Sequence, residues 1–340
     1  MIPTASVPEV LARARGLVGP ALRRAVATLS PELRPLAEYH LGWRDASGDA
    51  VESDGGKGIR PALAVLSAEA VGAPGEVGVP GAVAVELVHN FSLIHDDVID
   101  EDAERRHRPT VWALFGVGQA VIVGDALIAL AQQVVLGPDA AAGAGRAARC
   151  LADATAAMIA GQALDMAFET VPAIDVAGCL AMEAGKTGAL LGCAASLGAI
   201  LAGAPAETVS ALDRYGVELG LAFQAVDDLL GIWGDPAVTG KPAWSDLRQR
   251  KKTLPVVAAL AAGGARAEEL AALLASEHLE EAQVARAAQL VEACGGRSAA
   301  TAEARRRLDA ALGALGEVAL VERTRAELTE LARFVVEREF

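Results

Sequence analysis

The chain has 340 residues and a mass of 34.7 kDa, with 53% apolar and 22% charged side chains; it is far too apolar to be disordered and long enough for one large core or two modest domains. Lys and Arg total 30 against 44 Asp and Glu, so the net charge is -14 and the isoelectric point about 4.9. A surface that acidic repels a phosphate backbone, which excludes general nucleic-acid binding and requires any anion site to be local.

The N-terminal residues include Pro3, Glu9 and arginines from Arg13 onward instead of an apolar secretory stretch, which predicts a cytoplasmic protein. On the same ground the glycosylation sequon Asn90-Phe91-Ser92 is read as a coincidence. Cys150, Cys179, Cys193 and Cys294 lack CxxC spacing and read as reduced, mostly buried small apolar residues. Strand signals are nearly absent, whereas Ala, Leu, Glu and Arg recur at helical spacing, so the predicted fold class is all-α. Breaks at 45–58, 72–75, 137–138, 203–205, 234–236 and 263–264 separate segments of ordinary helix length, and residues 1–340 are read as a single helical domain. The uncharged run 187–206 contains glycines, a serine and Pro205 without an aromatic belt, which suits a close-packed helix of a soluble bundle better than a membrane span. Beyond about residue 265 the chain is amphipathic helix with no visible chemistry and is read as scaffold or subunit contact.

The chemistry is concentrated in five places. Gly55-Gly56-Lys57-Gly58-Ile59-Arg60-Pro61 is a glycine-rich turn entering a helix, with Lys57 and Arg60 near an N-terminus that favours anions. After an apolar helix over 79–88, the segment 89–110 begins with His89 and places Asp96 and Asp100 one turn apart on a shared face, with Asp97 beside them. Stacked carboxylates repel unless a cation sits between them, and hard oxygen ligands suit Mg2+. Arg105 and Arg106 follow, and guanidinium forks match phosphate oxygens, so a diphosphate held from two sides is implied. Lys186-Thr187 interrupts an apolar stretch, and a buried lysine needs an anion. Residues 223–241 repeat the acidic theme, with Gln224 and Asp227 on one face and Asp228 adjacent; buried carboxylates there also require cations. Lys251 precedes Thr253-Leu254-Pro255.

Together these residues resemble the trans-isoprenyl diphosphate synthase (polyprenyl synthetase) family, most nearly its geranylgeranyl diphosphate synthases. DDxxDxxxxRR matches at Asp96, Asp97, Asp100, Arg105 and Arg106, GGKxxRP at residues 55–61, and the histidine seven residues before the first aspartate is His89; Gly161-Gln162 with Asp165, Lys186-Thr187, Phe223-Gln224 with Asp227-Asp228, Gly240-Lys241, Asp246 and Lys251 with Thr253 follow in order. The resemblance implies an isoprenoid-synthase bundle around a central apolar cavity and a homodimer acting on prenyl diphosphates, with no stable membrane insertion and no nucleic-acid partner. It implies that Asp96, Asp97, Asp100, Asp227 and Asp228 serve a cluster of three Mg2+ ions. Arg105, Lys186, Thr187, Gln224, Lys241 and Lys251 would then bind the allylic diphosphate, and Lys57, Arg60, His89 and Arg106 isopentenyl diphosphate. Metal and cation charge would stabilise the departing diphosphate, and the isopentenyl double bond would attack the allylic cation inside apolar walls that exclude water.

Two departures from the family pattern stand out. The second motif ends in Gly231 instead of an aspartate, so Asp227 is expected to be its principal ligand with Asp228 and Asp235 supporting through water, and His107 replaces a glycine after the arginines. In the family the residues four and five before the first aspartate form the cavity floor; here they are Ser92 and Phe91, and the aromatic at that place implies a C20 product. Helix geometry alone puts Ser92 more directly below Asp96. A class I terpene cyclase is the first rival, opposed by Lys57, Arg60, His89 and Arg106, for which it has no use. A non-catalytic subunit of a heteromeric synthase is the second, opposed by the intact first motif.

Overall fold

The computed structural model describes residues 5–51, 58–137, 142–171, 173–235, 243–276 and 278–336. Helices dominate: α1 (Val7–Val26), α2 (Arg34–His40), α3 (Ile59–Ala70), α4 (Val79–Ile99), α5 (Val111–Phe115), α6 (Val117–Val135), α7 (Ala144–Thr170), α8 (Val176–Glu183), α9 (Ala189–Leu201), α10 (Ala206–Trp233), α11 (Ser245–Arg248), α12 (Leu254–Ala261), α13 (Gly264–Leu274), α14 (Glu281–Ala293), α15 (Gly296–Gly316) and α16 (Glu322–Val336). Among the described residues the strands are the antiparallel pair β1 (Glu104–Arg105) and β2 (Arg108–Pro109). The fold is all-α, as the helical spacing predicts.

The chain divides into two compact units. The first comprises Met1–Thr155, Cys193–Asp213 and Glu317–Glu330, and the second Ala156–Gly192, Arg214–Gly316 and Leu331–Phe340. In the first, α4 opens with Pro80 in its first turn, where a missing N–H costs nothing. Apart from Glu86 its next residues are apolar, and Ala82, Val83, Ala84, Val85, Leu87 and Val88 are at most 1% exposed, as expected of a helix surrounded by others. Arg13 of α1 bridges Glu69 of α3 and Glu327 of α16 at 2.8 and 2.7 Å, and the Glu327 side chain is fully buried. Burial pushes Glu327 up, but hydrogen bonds from Arg13 and Arg323 outweigh it and hold the carboxylate below its ordinary range.

The second unit packs Ile232, Leu247, Val256, Leu270, Val284 and Leu290 into one apolar cluster, joining the end of α10 to α11 through α14. Residues beyond 265, read from sequence as scaffold, supply much of that core. Three stretches, Gly75–Ile99, Val117–Val135 and Val176–Leu201, are long and apolar enough to cross a membrane; 61%, 33% and 78% of their apolar windows are buried within the protein.

Candidate active site

In the first unit the C-terminal end of α4 carries the acidic motif. Asp100 caps the helix and is exposed, its N–H donating to the Asp96 carbonyl at 2.8 Å. The last carbonyls of a helix have no intrahelical donor and make this end negative, so two stacked carboxylates here favour a cation. Asp97 turns the other way. It is 1% exposed and accepts a hydrogen bond from Arg105 Nε at 2.6 Å. Burial pushes its carboxyl up to about 6, opposing the Arg105 charge. The expected diphosphate ligand Arg105 and the expected metal ligand Asp97 are thus partners of each other.

The hairpin β1–β2 brings the arginines to this end of the unit. Its turn residues Arg106 and His107 both have positive φ, 53° and 60°, the geometry of a tight hairpin turn and the reason a glycine fits at His107. A cavity of about 110 Å³ is lined by Tyr39, His40, Asp97, Arg105, Arg106 and Arg108. Burial, then Arg105 and Arg106, push the His40 imidazole down to about 3, so it is neutral. His89 is also driven well down by burial and by Arg60 and Arg106, and its Nε2 lies 3.4 Å from Arg60 Nη1. Arg60, His89 and Arg106 of the expected isopentenyl set therefore gather in one electropositive region, whereas Lys57 lies outside the described residues. Below the acidic end, Phe91 is 5% exposed and packs edge-on against His95 with ring centres 4.8 Å apart. Ser92 donates its hydroxyl back to the His89 carbonyl at 2.8 Å.

In the second unit Lys186 and Thr187 sit on a π-helical turn, Ala184–Gly188, between α8 and α9, a widened turn of the kind often found at functional sites. Gly161 explains how α7 reaches it: a Cβ there would lie 2.3 Å from the Lys186 backbone nitrogen. Lys186 Nζ donates to Asp165. From Thr187 a chain of hydrogen bonds runs onward, Thr187 Oγ1 to Gln224 Oε1 at 2.9 Å, Gln224 Nε2 to Asp228 Oδ1 at 2.8 Å, and the Leu254 N–H to Asp228 Oδ2 at 2.9 Å. Asp228 is 3% exposed and each of its oxygens already accepts a bond. Asp227, one residue earlier, is exposed. A second cavity of about 110 Å³ is lined by Glu183, Lys186, Gln224, Asp227, Asp246 and Lys251, among others. Lys241 lies outside the described residues.

Three polar residues at these cavities had no role in the sequence reading. Glu183 is 3% exposed, and burial followed by the neighbouring Asp228 charge pushes it up. Its signal was available, since Glu183 and Lys186 are the only charged residues between 176 and 206. Asp246 was matched but given no function, and His40 carries no sequence signal because the arginines around it come from residues 105–108.

Among the described residues no three acidic, His or Cys side chains converge to enclose an ion. Mg2+ does not require such a cage, since it keeps several waters and takes one or two carboxylates together with substrate phosphates. Paired carboxylates at an electronegative helix end, and an exposed Asp227 on a cavity lined by Lys186 and Lys251, fit that chemistry. So does the orphaned Thr253 Oγ1, a buried donor on the second cavity wall.

Residues 43–291 match the family model Polyprenyl synthetase. The chain belongs to the polyprenyl synthetase family. It is 48% identical over 334 residues to the (2E,6E)-farnesyl diphosphate synthase of Mycobacterium tuberculosis, covering 97% of this chain and 93% of that protein. It is 47% identical over 307 residues to a geranylgeranyl diphosphate synthase of the same organism, covering 90% and 88%. Among solved structures, a polyprenyl synthetase from Streptomyces coelicolor A3(2) superposes with a TM-score of 0.94 at 54% identity, covering 97% of this chain and all of that one. A geranylgeranyl pyrophosphate synthase from Corynebacterium glutamicum, complexed with isoprenyl diphosphate and magnesium, superposes at 0.79 and 26% identity, covering 98% of each. This family member is a trans-prenyltransferase that makes prenyl diphosphates.

Proposed function

We propose that the chain is a Mg2+-dependent geranylgeranyl diphosphate synthase, condensing isopentenyl diphosphate with dimethylallyl, geranyl or farnesyl diphosphate and releasing diphosphate. The observation that carries the C20 product is Phe91. It lies on α4 five residues before Asp96, about 7.5 Å further down the helix axis, and its ring is buried under the acidic end. A bulky aromatic there blocks a growing chain that a smaller residue would let pass.

The remaining roles are those the family resemblance implies, and the geometry of the described residues supports them. Asp96, Asp100 and Asp227 are the carboxylates open to metal, and Asp97 and Asp228 hold them in place. Bound Mg2+ supplies the charge that lets the allylic diphosphate depart. Lys186, Thr187, Gln224, Lys241 and Lys251, with Arg105, bind that diphosphate. Lys57, Arg60, His89 and Arg106 bind isopentenyl diphosphate, whose anionic head the neutral imidazole of His89 accommodates by donating N–H. The apolar walls keep water from the cation.

We assign the working form as a cytoplasmic homodimer in which residues 1–340 serve one activity. Supporting it, Leu114, Phe115, Val117, Val121 and Ile122 are 39–53% exposed on α5 and α6, large apolar side chains that a second copy would cover. The four cysteines are all free, as in a reducing compartment. Two of the three long apolar stretches bury most of their windows within the protein, which supports a protein not inserted in a membrane.

The test is product analysis by mass spectrometry after incubating the full chain with Mg2+, isopentenyl diphosphate and each allylic starter. A C20 diphosphate supports the reading. C15 would place this chain with its farnesyl-producing relative, and C25 or longer would discard Phe91 as the floor. A cyclised hydrocarbon would favour the cyclase reading, and no elongation from any starter the non-catalytic subunit. Light scattering in solution checks the dimer.

A further inference from the structure

Gly231 stands one helical turn after Asp227, on the same face of α10, and offers no side chain to the second acidic motif. The surrounding structure explains why nothing larger is there. A Cβ built on Gly231 would lie 2.0 Å from Asp246 Oδ2, 2.4 Å from its Cγ and 2.8 Å from Oδ1. The Asp246 carboxylate therefore fills the volume into which a side chain at 231 would project. Residues four apart on a helix stack over one another, so this carboxylate sits where a partner of Asp227 from its own helix would be, although it is delivered by α11.

The placement is fixed locally. Ser245 Oγ donates to the Gly231 carbonyl at 3.2 Å and lies 3.3 Å from Asp246 Oδ1, and the Lys251 N–H donates to the Asp246 carbonyl at 2.9 Å. Asp246 is 9% exposed and lines the same cavity as Asp227, Lys186 and Lys251. That cavity also holds two buried polar atoms with no hydrogen-bond partner, Thr253 Oγ1 and Oε2 of Glu183, itself 3% exposed. The Thr253 hydroxyl, a neutral group outside the acidic cluster, is thus left for a polar ligand to satisfy.

We propose that Asp246 supplies the carboxylate that the second motif lacks at position 231, and that Gly231 is required because it admits Asp246. Asp246 and Asp227 then face the magnesium-bound diphosphate together. The inference rests on the prenyl diphosphate synthase reading.

The test uses the full-length protein and two readouts: the rise in melting temperature produced by Mg2+ plus inorganic diphosphate, and the Mg2+ concentration giving half-maximal elongation. Asp246→Asn is expected to shrink the thermal shift and raise the half-maximal Mg2+ concentration by about 10–100-fold, the usual cost of losing a residue that supports a metal. Gly231→Asp is expected to lower the melting temperature without improving Mg2+ response, because two carboxylates compete for one space. The double variant Gly231→Asp with Asp246→Ala is expected to return the half-maximal Mg2+ concentration to within about threefold of wild type, since a carboxylate again occupies the shared volume. An unchanged Mg2+ response in Asp246→Asn overturns the proposal, as does a double variant no better than Asp246→Ala alone. If Gly231→Asp fails to fold, those two comparisons still decide. Wild-type protein that gains no stability from Mg2+ and diphosphate would instead overturn the synthase reading itself.

Discussion

The two acidic motifs, one at the end of α4 in the first unit and one within α10 in the second, divide their labour in the same way. In each, the first aspartate of the pair is more open than the second: Asp96 is half-buried and Asp227 exposed, while Asp97 and Asp228 are 1% and 3% exposed. Consecutive helical residues point about 100° apart, so a DD pair cannot present both side chains to one ligand. One faces the solvent and the other anchors the helix. The anchors differ. Asp97 is held by the charged Arg105, whereas Asp228 is held by neutral donors, the Gln224 amide and the Leu254 N–H. The motifs differ again one turn on, where the first has Asp100 on its own helix and the second has Gly231 with Asp246 packed against it.

The sharpest way to break this comparison is to remove the outward aspartates. Asp96→Asn and Asp227→Asn should each lower kcat/KM by about 10³-fold, roughly 4 kcal/mol of transition-state stabilisation, while the melting temperature stays near that of wild type; steady-state elongation and calorimetry check both halves. The inward aspartates should show the reverse pattern. Asp228→Ala strands two buried donors and should cost about 2–4 kcal/mol of stability in urea unfolding. Asp97→Ala should cost less, about 1–2 kcal/mol, because Arg105 is 31% exposed and water can replace its partner. A larger loss at Asp97 than at Asp228 would show that charge, and not burial, sets the anchor strength.

Phe91 separates the motifs further, since its assignment as a floor belongs to the first alone. Phe91→Ala should shift the product from C20 to C25 or longer, read by mass spectrometry, alongside a cavity cost of about 3–5 kcal/mol; an unchanged product distribution removes Phe91 as the floor. The smallest expected effect lies in the hairpin that delivers Arg105. His107→Gly relieves a left-handed residue at φ 60° and should stabilise the protein by about 0.5–1 kcal/mol with no change in kcat.

Much of this was legible in the residues. Helical spacing announced an all-α fold, and the order of Asp96, Arg105, Lys186, Gln224 and Asp227 along the chain announced the family, because metal and diphosphate chemistry demands those groups whatever surrounds them. Arg60, His89 and Arg106 were read as one set, and the structure gathers them. Other features were not legible because they depend on what packs against a residue. Nothing in a local window separates Asp97 from Asp96, or shows that the apolar run bearing Lys186 widens into a π turn against Gly161. The two-residue strands beside Arg106 and His107 carry no strand propensity and exist because the turn closes them.

Sequence by itself therefore determined the fold class, which follows from composition and periodicity, and the family and kind of chemistry, which follow from the motifs it shares in order with known members. Only the tertiary structure decided which carboxylates face a ligand and which support the scaffold. It also decided that an apparent deficit at Gly231 is occupied space, since the volume is filled by Asp246, fifteen positions further along the chain and on another helix.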